Sequence, residues 1–262
     1  MESLRVRPKA KELEALRAKL VKECGVCGGT GKILTGAFNG PNALFDDCKC
    51  FKKFLALYEL IVGGVPSHYL KTIRKDLLPR QVKEIDHETG RPARFSKDLG
   101  ELFARIIKKH TQFINRGHSL FFTGYNSTGK SYAAIWLMYR FAYRGHTVHY
   151  IKFKRLHGTI LNSFNDGELR KLLSEIEAVD LLCIDEVGKE SSATAQVIGE
   201  FEEWLKSRQD SGKSTIIITN LDVSDFRERY EASIWEALAE KFLILAFDTK
   251  NNFRRMHRRW EY

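Results

Sequence analysis

A chain of 262 residues that is 43% hydrophobic has room for one large domain, or for a domain carrying a small module. No run approaches the roughly 18 to 20 apolar residues that a membrane span needs, and the opening Met-Glu-Ser-Leu-Arg-Val-Arg-Pro-Lys lacks the apolar core of a secretory signal. No membrane partner is therefore expected, and the chain reads as intracellular. The formal net charge of +10 favours a polyanionic partner such as nucleic acid, with a solvated basic surface as the plainer alternative.

Residues 8–23 read as an amphipathic helix with Leu13, Leu16 and Leu20 on one face. Four of the five cysteines follow as Cys24-x-x-Cys27 and Cys48-x-Cys50. Thiolates two residues apart on a tight knuckle can bind one ion, and Gly25, Gly28, Gly29 and Gly31 permit the backbone such a knuckle needs. The favoured reading is a structural Zn²⁺ site with these four cysteines as ligands. The first half, Cys-Gly-Val-Cys-Gly-Gly-Thr-Gly, also resembles the knuckles of zinc-binding chaperone modules. Two disulfides are the rival reading, disfavoured in an intracellular chain. Cys183 falls inside an apolar run and reads as a core residue.

Residues 51–62 read as a second helix, and Gly63-Gly64-Val65-Pro66 breaks it and marks a linker. Pro79 and the polar stretch 86–94 read as loops. From about residue 98 helices and strands alternate. A helix over 99–116 carries Leu102, Phe103, Ile106, Ile107 and Phe113, and strands are expected at 119–123, 146–151, 179–185, 214–219 and 242–247. Helices are expected at 132–141, 153–164 and 196–209. Continuous apolar strands separated by helices indicate a mainly parallel sheet covered on both faces.

Between the first of these strands and its helix lies Gly124-Tyr125-Asn126-Ser127-Thr128-Gly129-Lys130-Ser131, a full match to G-x-x-x-x-G-K-[ST]. Strand, glycine-bounded loop and helix turn backbone N–H groups and a helix N-terminus toward a polyphosphate. In that arrangement these eight residues bind ATP, Lys130 reaches the β- and γ-phosphates, and the Ser131 hydroxyl sits on Mg²⁺. The strand at 179–185 ends in Asp185-Glu186. Asp185 is the second expected Mg²⁺ ligand, and Glu186 the general base for the attacking water. Asn220 closes another apolar strand, where an amide could position that water or sense the γ-phosphate; a plain turn residue is the alternative. At the C-terminus Arg254, Arg255, Arg258 and Arg259 crowd beside Trp260 and Tyr262, a mixture suited to backbone neutralisation and base stacking.

The chain resembles the DnaC/DnaI/IstB branch of AAA+ ATPases over roughly residues 62–262. The resemblance rests on Val65-Pro66-Ser67-His68-Tyr69, the phosphate loop, Ile184-Asp185-Glu186-Val187-Gly188, Ile218-Thr219-Asn220-Leu221, and Phe247 with Asn252-Phe253-Arg254-Arg255. It implies an α/β fold: a P-loop AAA+ core, its parallel sheet between helices, behind a small N-terminal helical zinc-binding module. The expected divisions are 1–62 for the module, 63–97 for a lead-in, and 98–262 for the ATPase domain. Asn220 becomes the sensor 1 residue and Arg254 the sensor 2 arginine, with Arg255 as its alternate.

The same resemblance implies a cytoplasmic, bacterial or phage-encoded ATPase that self-associates into an ATP-dependent ring or spiral. As a helicase loader it would bind single-stranded DNA and place a DnaB-type replicative helicase on it. The alternatives are an IstB-like ATPase regulating a transposase, or a nucleotide-gated DNA-binding scaffold that does not hydrolyse. DNA contacts are expected at Lys189, Ser191 and Ser192 and at Lys152, Lys154 and Arg155, with solvated loops as the plainer reading. One departure stands out: relatives place an arginine finger in the helix before the last strand, and residues 233–241 contain no arginine. Arg227, Arg229 or Lys241 are the candidate substitutes.

Overall fold

A computed structural model describes residues 10–35, 45–73, 81–163, 166–189 and 195–247. The N-terminal helix α1 (Ala10–Arg17) continues into a wider π-helical turn, Ala18–Lys22. Two short strands, β1 (Lys32–Leu34) and β2 (Phe45–Asp47), pair antiparallel and bring the two cysteine pairs together. Helix α2 (Lys49–Val62) begins directly after Cys48, and a single turn, α3 (Ser67–Leu70), follows it.

Among the described residues the core sheet has seven strands. Five are parallel and lie in the order β9 (Phe242–Phe247), β5 (Ser119–Thr123), β8 (Ser214–Thr219), β7 (Leu181–Val187), β6 (Val148–Lys152). The expected mainly parallel α/β sheet is thus present. Two antiparallel strands extend it beyond β9, namely β3 (Gln81–Glu84) and β4 (Lys97–Asp98). They lie where no strand was expected: β4 has only two residues and β3 alternates too briefly to show a period. The turn between them, 86–94, is irregular as expected, and Pro79 lies outside the described residues.

Successive strand residues serve opposite faces, and both are covered. Leu120 and Phe122 join Ile216, Ile218 and Leu245 beneath α6 (Lys130–Ala142) and α4 (Leu99–Lys108). Phe121, Ile217 and Ile244 face α7 (Phe153–Ser163), α9 (Ala195–Asp210) and α10 (Val223–Lys241). Helix α2 contributes Ala56 and Leu60 to the first of these clusters, so it packs into the same apolar core as Leu137. The expected linker at 63–66 is also bonded to the sheet, because Tyr150 N donates to Gly63 O at 2.7 Å.

Two of the helix expectations are revised. The helix expected over 99–116 breaks at Lys109 (φ −110°, ψ 30°), and α5 (His110–Asn115) then buries the consecutive residues Phe113 and Ile114. Helix α8 (Gly167–Ala178) was not assigned from sequence; Asp166 caps it by accepting from Glu168 N and Leu169 N. Its far end is closed by Arg208, which is 1% exposed and donates to the carbonyls of Ile176, Glu177, Val179 and Ser214. A buried guanidinium thus takes over the helix-terminal carbonyls that would otherwise be orphaned.

Candidate nucleotide site

Strand β5 ends in the phosphate loop at the C-terminal edge of the parallel sheet, the side where open α/β sheets bind ligands. Gly124 has φ 131°, and a Cβ there would lie 2.5 Å from Phe247 O, so only glycine fits between the loop and β9. Gly129 (φ 84°) turns the chain into α6, whose first residue is Lys130. Ser127 also takes a left-handed conformation, φ 65°. Thr128 is buried and bonds back to Tyr125 O at 2.9 Å, while Tyr125 is 71% exposed. Asn126 is exposed, and Ser131 is half-buried in the first turn of α6.

Lys130 is only 5% exposed and its ammonium stays inside the loop. Nζ donates to Gly124 O at 2.5 Å, to Tyr125 O at 2.8 Å and to Asn220 Oδ1 at 3.0 Å. Residues 90 positions apart are thus in direct contact, because β5 and β8 are adjacent and both point their C-terminal ends here.

Strand β7 brings the two acids to the same edge. Its register against β8 slips between Ile184 and Val187, and Glu186 sits in the slip with φ 64°. A bulge of this kind re-aims side chains that strict alternation would send to opposite faces. Asp185 is 5% exposed; its Oδ2 accepts from Tyr150 OH at 2.6 Å and its Oδ1 from Glu186 N at 2.7 Å. Glu186 is more open, and each oxygen takes a lysine: Lys189 Nζ on Oε1 and Lys152 Nζ on Oε2, both at 3.1 Å. Burial pushes this carboxyl up, but the hydrogen bonds and charges of Lys189 and Lys152 outweigh it and hold Glu186 below its ordinary value.

Gly188 follows (φ 90°), and a Cβ there would lie 2.6 Å from Leu221 Cδ1. Thr219 Oγ1 donates to Val187 O and accepts from Leu221 N. The Asp-Glu-Val-Gly and Thr-Asn-Leu segments therefore interlock, which explains why those residue types occur together.

Lys152 and Lys189, expected in two separate DNA patches, meet on one glutamate. Lys154 and Arg155 are exposed in the first turn of α7. Arg254, Arg255, Ser191 and Ser192 lie outside the described residues. Of the finger substitutes, Arg227 donates to His87 O at 2.6 Å and its guanidinium carbon lies 4.4 Å from the Trp235 ring centroid. Lys241 donates to Gln209 O. Both are engaged within their own chain, and the third candidate, Arg229, is half-buried in α10. Sequence reasoning missed Tyr150: a tyrosine in a strand reads as core, and only the pairing of β6 with β7 brings it to Asp185.

The four cysteines form a second centre. Their Sγ atoms all lie within 4.8 Å of one another, with Cys27 to Cys50 at 3.5 Å and Cys24 to Cys48 at 3.9 Å. A tetrahedron with metal–sulfur bonds of about 2.3 Å has sulfurs roughly 3.8 Å apart, so the donor set fits Zn²⁺. A disulfide needs about 2.05 Å, and all four cysteines are free thiols here. Gly31 N donates to Cys27 Sγ at 3.3 Å, as a metal-binding knuckle requires of its backbone. Burial raises the Cys27 thiol, but the Gly31 N–H and Cys50 outweigh it and push its pKa down; burial pushes Cys50 up. Cys183 lies fully buried in β7, as expected of a core residue.

A five-stranded parallel core, a glycine-bounded loop feeding a helix, and a strand ending in paired acids define a P-loop ATP-binding domain of the AAA+ type. The sequence matches the family described as IstB-like ATP binding protein over residues 79–250, more than half of the chain, and the protein belongs to that family. Similar solved structures include the DnaC helicase loader, at 19% identity and TM-score 0.49, covering 62% of this chain and 96% of that one. DnaI matches at 18% identity and TM-score 0.46, covering 57% and 83%. AMPPCP-bound DnaA from Aquifex aeolicus matches at 17% and 0.46, covering 61% and 50%. No match was found among curated proteins. Among the described residues, no helix is long and apolar enough to cross a membrane.

Proposed function

We propose that this protein hydrolyses ATP and uses the cycle to act on DNA as a helicase loader. The observation that carries the hydrolytic reading is the convergence of Lys130, Asn220, Asp185 and Glu186 at the ends of three adjacent parallel strands. The loop from Gly124 to Ser131 would hold the phosphates. A phosphate oxygen offers the Lys130 ammonium a charged acceptor, stronger than the neutral carbonyls that hold it now. Ser131 and Asp185 would hold Mg²⁺, which when bound neutralises charge on the phosphates. Asn220 orients, and Glu186 takes a proton from the attacking water.

The lysines on Glu186 shape that last role. A base works only above its own pKa, so activity falls as pH drops through the value of Glu186. Replacing Lys152 and Lys189 together by alanine removes what depresses it. The acid limb of the ATPase pH profile is therefore expected to move to higher pH, and a profile that does not move removes these ion pairs from the mechanism.

The client is read as a DnaB-type replicative helicase, delivered to single-stranded DNA by a ring or spiral of subunits. The net charge of +10 and the exposed Lys154 and Arg155 support a DNA partner. The cysteine module, which with Zn²⁺ bound would be rigid, is the part read as gripping the helicase. A second reading, which the resemblance to IstB suggests, is an ATPase that regulates a transposase. Pull-down with purified replicative helicase, with and without ATP, separates them. ATP-dependent retention of the helicase selects the loader, and its absence alongside capture of a transposase selects the other.

Native mass spectrometry is expected to find one Zn²⁺ per chain, lost when Cys24 and Cys27 are both changed to serine. Metal-free protein from a reduced lysate would refute the assignment.

A further inference from the structure

Among the described residues β6 is an outer strand of the sheet, so the backbone edge turned away from β7 needs partners. It finds them at the end of α2: Val148 N donates to Glu59 Oε1 at 3.0 Å and Tyr150 N to Gly63 O at 2.7 Å. The other edge of β6 pairs with β7, with Tyr150 opposite Cys183 and Lys152 opposite Asp185. One short strand thus touches the helix that grows out of the cysteine module on one side and both acids of the nucleotide site on the other.

Within this strand Tyr150 makes the more confined contact. Its ring is buried, 6% exposed, and its hydroxyl donates to Asp185 Oδ2 at 2.6 Å. The other oxygen of Asp185 is taken by Glu186 N. Both oxygens are therefore oriented by the protein. Such outer-sphere hydrogen bonds fix ligating carboxylates, and their loss weakens metal binding.

We propose that Tyr150 is a positioning residue for Asp185, its hydroxyl holding the carboxylate in the orientation that receives Mg²⁺. This rests on the reading of Asp185 as an Mg²⁺ ligand. A tyrosine that only fills the core would affect stability and leave Mg²⁺ dependence alone.

The test is the affinity of a fluorescent ATP analogue, first in EDTA and then across an Mg²⁺ titration, for wild type, Tyr150→Phe, Glu59→Ala and Asp185→Asn. Tyr150→Phe is expected to bind as wild type in EDTA but to need ~10-fold more Mg²⁺ for half-saturation. Glu59→Ala loosens the same seam without touching the phenol, and is expected to titrate as wild type. An unshifted Tyr150→Phe overturns the proposal alone, as does an equal shift in Glu59→Ala. An Asp185→Asn variant that titrates as wild type overturns the Mg²⁺ reading and this inference with it. Should Tyr150→Phe fail to fold, 4-aminophenylalanine at this position keeps a weaker donor. Its Mg²⁺ requirement must then exceed that of wild type, and an unchanged one refutes the proposal.

Discussion

Glu186→Gln is expected to bind the fluorescent ATP analogue as wild type does and to lose turnover by about 10² to 10⁴, the usual contribution of a positioned general base. Glutamine keeps the size and the hydrogen-bonding oxygen of the side chain but cannot take a proton. The substitution also removes the charge that Lys152 and Lys189 share, leaving two like charges facing a neutral amide. Exposed ion pairs of this kind contribute little to stability, so the fold is expected to survive. Phosphate release measured beside analogue binding separates the two effects. Undiminished release would remove Glu186 from the chemistry, and loss of binding would show that it serves the site's structure.

Lys130→Ala is expected to weaken binding at the same site by at least about tenfold. The ammonium is buried in the loop and donates to Gly124 O, Tyr125 O and Asn220 Oδ1. A hydrogen bond to a charged group contributes about 1.5 to 3 kcal/mol, and losing a charged contact to phosphate weakens affinity by roughly ten- to more than a hundredfold. Alanine also withdraws a donor from Asn220 and from the two loop carbonyls. The consequence extends beyond the phosphates to the connection between β5 and β8. Retained affinity for the analogue would defeat the assignment of the phosphate loop.

The contacts of Arg227 bear on turnover. An arginine that already serves the 87–88 carbonyls and stacks on Trp235 is poorly placed to reach a neighbouring subunit. An arginine finger adds on the order of 10³ to 10⁵ to the rate of phosphoryl transfer. Slow hydrolysis, suited to a nucleotide-gated clamp, is the corresponding expectation for this protein.

Local sequence determined a good deal of this molecule. The phosphate loop is legible because its glycines answer to positions that a side chain cannot occupy, as at Gly124 against Phe247. The parallel strands are legible because burial on both faces writes an unbroken apolar run, as in residues 181–184. The cysteine cluster is legible because two close pairs need only a hairpin to meet. What the sequence could not show are the contacts made across the sheet. Arg208 in α9 closes the end of α8, Tyr150 in β6 holds Asp185 in β7, and Lys152 in β6 reaches Glu186 in β7. Each depends on which strands lie side by side, and strand order is set by how the helices cover the two faces. Residue type announces the nucleotide site and its acids; only the packed sheet decides which neighbours orient and charge them.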